Sequence, residues 1–138
     1  AEEAMNLYAK VFKNAKVASV QRVGGRVQSG TVEIEGVRFH CFNGGPHFKL
    51  NEAASLFVQC DDQAEVDKLW DGLIADGGAP SQCGWLKDRF GLSWQIVPKA
   101  HMQMMSDSDG KRVARVMQAM MKMSKFDIAA LQRAYVGG

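Results

Sequence analysis

A chain of 138 residues, 46% apolar and 23% charged, has the size and balance of one globular domain, and at this length folding removes roughly 68–70% of the unfolded surface from water without help from a metal or disulfide. The formal net charge of +2 is too small to mark a nucleic-acid or membrane-surface protein, since both need a concentrated basic face. Cys41, Cys60 and Cys83 form an odd, sparse set without CxxC spacing, which argues against a disulfide framework or a zinc ribbon.

Each cysteine falls in an apolar, strand-like stretch and reads as a reduced, small hydrophobic residue. No apolar run approaches the about 20 residues of a membrane span. No signal peptide is visible, so the cytoplasm is the expected location.

Met5, Tyr8, Val11 and Phe12 recur at helical spacing and predict an amphipathic helix over 2–13. A short strand is expected at Val17–Val20, followed by a loop from Gly24-Gly25 to Gly30. The clearest local signal comes next. Thr31–Ile34 and Val37–His40 flank Glu35-Gly36, the pattern of a tight hairpin. Pairing Ile34 with Val37 sets Val32 opposite Phe39 on an apolar face. It also sets Glu33 opposite Arg38, and Thr31 opposite His40, on the other face. Asn43-Gly-Gly-Pro46 must end the sheet.

Ala54–Cys60 predicts a buried strand. Asp62 with Glu65 forms a capping-box pattern for a helix bearing Val66, Leu69, Trp70, Leu73 and Ile74, which stops at Gly77-Gly78. Two further strands are expected at about 82–87 and 92–97, joined by a turn near 89–91. Pro98 starts a short helix. Val113, Val116, Met117 and Met120 form a second helical stripe. Asp127 caps a third helix, with Phe126 and Leu131 as its hydrophobic staple.

The chain therefore reads helix–strands–hairpin, then strand–helix–hairpin. Gly36–Phe42 and Gly91–Val97 share the order glycine, apolar, polar, aromatic, polar, apolar, apolar. This repeat predicts a strand upstream of the first helix in the parent protein, matching the strand at 55–60 in the second half.

Asn43-Gly-Gly-Pro-His-Phe48, Cys83–Asp88 and Phe90–Pro98, with the opening Ala1–Tyr8 and the stretch Asp109–Ala130, together resemble the PhnB-like proteins of the glyoxalase/bleomycin-resistance/dioxygenase (vicinal oxygen chelate) superfamily. Some of these proteins carry a demethylubiquinone methyltransferase label. The resemblance implies an α+β fold of two βαβββ modules forming a curved mixed sheet. On that pattern module one spans about 1–46, module two about 53–98 and a helical tail about 99–136, all within one domain. It also implies a homodimer, with modules paired across chains, a small-molecule ligand, and a divalent metal ion in the enzymes of the superfamily.

Carried over by position, His40 and Gln95 stand where the last strand of each module supplies a metal ligand. His40 is thus the candidate catalytic residue and metal ligand, its imidazole suited to either role near neutral pH. Gln95, a weak neutral ligand, is a candidate for hydrogen bonding to a substrate. So are Arg38, suited to an anionic group, and His47, on a loop after a backbone break. Trp85 either packs beneath a helix or walls a pocket. Trp94 reads as core, His101 as a helical residue without function, and the tail methionines as packing. The leading expectation is a metal-assisted enzyme acting on a small molecule. The alternative is a small-molecule binding protein on the same sheet. An S-adenosylmethionine-dependent methyltransferase ranks last, because no strand–glycine-rich loop–helix unit is present.

Overall fold

The register of the first sheet is set by two tight turns. In the computed structural model, which describes residues 1–138, Gly24-Gly25 and Glu35-Gly36 all have positive φ, at 58°, 80°, 48° and 85°. These are the left-handed conformations a two-residue hairpin requires. They join β1 (Ala15–Val23), β2 (Arg26–Ile34) and β3 (Val37–Phe42) into an antiparallel sheet of order β1-β2-β3. The β2–β3 register is the one both faces of the sequence demand: Ile34↔Val37, Glu33↔Arg38, Val32↔Phe39 and Thr31↔His40. Val32 and Ile34 are buried, whereas Val37 at the sheet edge is 55% exposed.

α1 (Glu2–Val11) lies against this sheet and buries Met5, Tyr8 and Val11, with Glu2 and Glu3 in its first turn and Lys10 in its last. That charge order favours the helix dipole. The expected loop at 24–30 is instead a turn followed by strand, and β1 is longer than Val17–Val20. Gly30 is the reason for the misreading. It is a strand residue whose missing side chain admits α1, since a Cβ there would lie 2.7 Å from Met5 Cε and 2.5 Å from the Ser19 carbonyl.

The chain divides into two compact units, Ala1–Lys49 and Leu50–Gly138. The second unit holds β4 (Ser55–Cys60), α2 (Gln63–Ile74), β5 (Ala79–Pro80), β6 (Trp85–Lys87) and β7 (Ser93–Pro98). Its mixed sheet has the order β4-β7-β6-β5, with β4 parallel to β7 and the other pairs antiparallel. Asp62 caps α2 by accepting from the Glu65 amide at 2.8 Å. Glu65 returns a bond one residue earlier than a capping box would, to the Asp61 amide at 2.7 Å. Val66, Leu69, Trp70 and Leu73 form the buried stripe of the helix, and Leu86, Trp94 and Ile96 are buried in the same unit. The β6–β7 turn is organised by the buried Asp88 carboxylate. It accepts from the amides of Phe90 (2.9 Å) and Leu92 (3.1 Å) and from Trp94 Nε1 (2.9 Å).

Two strand expectations need correction here. Ser55–Cys60 is an edge strand and only partly buried, with Phe57 50% exposed. Residues 82–84 are a turn, not a strand: Cys83 and Gly84 have φ of 55° and 83°. Their amides donate to the carbonyls of Met123 (2.9 Å) and Ser124 (2.8 Å), while the Gly84 carbonyl accepts from the Ile96 amide of β7 at 2.8 Å, so this turn ties the tail to the sheet.

The tail comprises α3 (Lys99–Met105), α4 (Gly110–Met120) and α5 (Ile128–Val136). Asp109 and Asp127 cap the last two, accepting at 2.9 Å from Lys111 and 3.0 Å from Ala130. Val97, Met104, Val116, Phe126 and Leu131 share one buried cluster, in keeping with the expected Phe126–Leu131 staple. Met117, expected on the packed stripe, is 42% exposed. Arg115 closes α5 by donating from Nε and Nη2 to the carbonyls of Ala134 and Tyr135, both at 2.8 Å. The Gln63 amide bonds backbone on both sides of residue 127: Nε2 donates to the Phe126 carbonyl at 2.9 Å, and Oε1 accepts from the Ile128 amide at 2.8 Å. No helix is long and apolar enough to cross a membrane.

A Cβ at Gly84 would lie 2.4 Å from Phe126 Cε2, on a backbone already at positive φ. Gly84→Ala should therefore cost about 2–5 kcal/mol, combining overpacking with left-handed strain. Gly110→Ala, whose Cβ meets nothing, should leave the unfolding free energy from urea titration within about 0.5 kcal/mol of the parent or raise it. A Gly84→Ala cost as small as the control's would show that Phe126 yields freely.

Candidate functional site

Strand pairing in the second unit places three side chains in one row. Phe57 on β4 pairs with Gln95 on β7, and Gln95 pairs with Trp85 on β6. Directly paired residues share a face, and neighbouring strands lie about 4.8 Å apart, so an amide stands between two aromatic rings. Alternation sends Trp94 and Ile96 to the opposite face, where both are buried. Val97 continues the row's own face. A cleft of about 450 Å³ opens there, with Phe57, Trp85, Gln95 and Val97 as its sheet wall. The opposing wall comes from His101, Met102 and Met105 of α3, with Met120 and Phe126, while Cys83 enters from the turn before β6. No charged side chain lines the cleft.

Gln95 Nε2 donates to Ser55 Oγ at 2.9 Å, which orients the amide and leaves its oxygen available as an acceptor. His101 is half-buried, its ring 4.8 Å from that of Phe126 and tilted by 41°. Both imidazole nitrogens are shielded from solvent and have no hydrogen-bond partner. Burial pushes the His101 pKa down, favouring the neutral ring. An unpaired buried polar group costs about 1–3 kcal/mol, so a bound group that reached the ring would relieve a penalty already present in the fold.

His40 and Arg38 lie on one face of β3 in the first unit. His40 Nδ1 is 3.0 Å from Thr31 Oγ1. It lines a second cleft of about 380 Å³ whose other polar groups come from Ser19, Gln21, Ser29 and Cys41. Arg38 is engaged with Glu33 at 2.9 Å, and this bond holds the Glu33 carboxyl below its ordinary range. His47 is exposed on the connection after Gly45.

The donors around His40 are hydroxyls, an amide and a thiol that burial pushes up. Gln95 is a neutral amide. No group of three His, Cys, Asp or Glu side chains is placed to hold a metal ion. Within either unit, the residues do not fit the hard divalent ion the superfamily resemblance implies. Trp85 and Gln95 are brought together. Phe57, Cys83 and His101, which join them around the cleft, were not singled out for function in the sequence. Phe57 lies inside a continuous apolar run without visible alternation, and the contacts of His101 come from residues remote in sequence.

An α+β chain whose second unit is a complete βαβββ module, with an amide on the last strand, has the glyoxalase-like architecture. Residues 1–97 match the family described as 3-demethylubiquinone-9 3-methyltransferase. The chain is similar to the solved structure of a putative 3-demethylubiquinone-9 3-methyltransferase, PhnB protein, from Bacillus cereus, with 30% identity over 70% of this chain and 89% of that one and a TM-score of 0.65. It shares its fold with protein PA1353 from Pseudomonas aeruginosa, at 15% identity over 71% and 88% of the two chains and a TM-score of 0.57. No curated protein matches the sequence. The chain belongs to the 3-demethylubiquinone-9 3-methyltransferase family and is PhnB-like.

A histidine held neutral gives stability a defined pH dependence. Its folded pKa lies below the ordinary value of 6.5, so the unfolded chain binds the extra proton. This contribution is complete above about pH 6.5 and is lost as pH falls through the unfolded value. His101→Phe keeps the contact with Phe126 and should flatten the fall in unfolding free energy between about pH 7 and 5. An unchanged slope in urea titrations would mean the imidazole is not held neutral.

Proposed function

We propose that this chain binds a small, neutral, largely apolar molecule in the cleft over Phe57, Gln95 and Trp85. The observation that carries this reading is the row itself. A single uncharged amide, oriented by Ser55, stands between two aromatic side chains in a cleft without charge. Binding sites for small molecules are concave, mostly apolar and equipped with few polar groups, with volumes of about 300–1,000 Å³. A ligand with one N–H or O–H donor would satisfy the Gln95 oxygen, and the methionines would adapt to its shape.

This ranks binding above metal-assisted catalysis, since neither His40 nor Gln95 has the neighbours that a Lewis-acid site requires. The methyl transfer in the family's description is not favoured either. The one parallel strand pair, β4–β7, is not followed by a glycine-rich turn into a helix suited to a nucleotide-like cofactor.

N-phenyl-1-naphthylamine is neutral, aromatic and carries one N–H donor, and so serves as a probe. Its fluorescence should rise saturably with the protein. Gln95→Leu should weaken binding about threefold to tenfold, the worth of one hydrogen bond, and Phe57→Ala should weaken it further. Met117→Leu, outside the cleft, should have no effect. No saturable signal, or equal affinity in all variants, would remove this reading.

A further inference from the structure

Seven of the eight methionines lie between residues 102 and 123. Packing accounts for only some of them. Met104 is buried with Val116 and Leu131, whereas Met117 and Met121 are 42% and 66% exposed. Met102, Met105 and Met120 line the cleft together with Cys83 and His101. On α3, His101 and Met105 are four residues apart and Met102 and Met105 three apart, so one helix face carries all three. Cys83 joins them from the turn before β6. Its amide is fixed to the Met123 carbonyl, and its Sγ lies 3.7 Å from the Met120 carbonyl. Its φ of 55° is rare for a residue other than glycine, and such conformations persist where the surroundings impose them.

We propose that this wall of the cleft is a binding site for a soft monovalent metal ion, Cu(I) or its redox-inert analogue Ag(I), held by the Cys83 thiolate with thioethers of Met102, Met105 and Met120 and the His101 imidazole. Thiolate and thioether donors select Cu(I), and imidazole suits it. No carboxylate lines the cleft, so magnesium and calcium lack their preferred ligands. Both His101 nitrogens lack partners. Unbranched methionines have the freedom to converge on an ion. Binding replaces the Cys83 thiol proton by the metal, so each ion bound releases one proton and no electron moves. The site does not depend on the organic ligand proposed above, whose orienting contact is Gln95, a residue outside the donor set.

The test is anaerobic competition for Cu(I) between the full chain and bathocuproine disulfonate, read as loss of the coloured chelate. The chain should withdraw about one equivalent, and about one proton should be released per ion. Cys83→Asn keeps a residue that tolerates positive φ, and the pair Met105→Leu with Met120→Leu keeps the packing. Each should weaken binding at least about tenfold, as loss of a ligand does. Met117→Leu with Met121→Leu, and Cys41→Ser, should match the parent. Circular dichroism checks that every variant folds, and Ag(I) calorimetry should rank them in the same order.

Failure to withdraw Cu(I), unchanged affinity in both the Cys83 and methionine variants, or loss of binding in Cys41→Ser would each overturn the proposal. Gln95→Leu leaves all five donors in place. It should retain Cu(I) while losing affinity for N-phenyl-1-naphthylamine, so the two readings fail separately.

Discussion

Phe126 occupies space that any side chain at position 84 would fill. That single absence lets a turn before β6 and a loop between two tail helices share hydrogen bonds and close van der Waals contact. Three further ties hold Phe126 there: the Gln63 amide on either side of Asp127, the Lys125–Asp67 ion pair at 2.9 Å, and the buried cluster with Val97 and Leu131. Without them α4 would have no fixed relation to the second sheet, and Met120 would not stand across a cleft from Trp85. The ion pair is partly exposed and adds little by itself. The weight rests on burial of the Phe126 ring and on the satisfied backbone groups of residues 83, 84, 126 and 128.

The second sheet treats its two faces differently, and β7 shows how. Trp94 and Ile96 point into the core, and the Trp94 indole nitrogen is satisfied by Asp88. Gln95, between them, faces the cleft and is tied to Ser55. A glutamine here keeps hydrogen-bonding capacity while adding no charge to an apolar cavity, where an unpaired carboxylate would be costly. What the structure places at this point of β7 is therefore a neutral amide with a fixed orientation.

The parts of the fold that were legible in the sequence are those in which several local demands coincide. The register from Thr31 to His40 satisfies an apolar face, an ion pair and a Glu-Gly turn at once, and it is the register found. The caps at Asp62 and Asp127 were equally readable, because side-chain spacing alone determines them. Gly30 misled because glycine breaks strands more often than it admits a helix against one. Cys83 misled because its apolar neighbours continue into β6 while its own backbone bonds to the tail. The same limit hid His101. The ring it meets is that of Phe126, 25 residues further along the chain, and Met102 and Met105 beside it read equally well as ordinary packing. Helix existence is a local property, but the environment of a side chain is not.

The parallel pairing of β4 with β7 also orders the assembly of the molecule in time. The hairpins of the first unit close loops of two residues, and such contacts form quickly with little loss of chain entropy. Leu56 meets Trp94 only after α2, β5 and β6 have been laid between them, the kind of non-local pairing that slows folding. The cleft is later still, because its far wall needs Met120 and Phe126. During synthesis from the N-terminus, the first sheet can form once about 50 residues have emerged, whereas the cleft exists only after the tail has been released. A chain truncated before Phe126 would keep the sequence of both sheets and lose the ring that packs on Gly84 and closes the cleft.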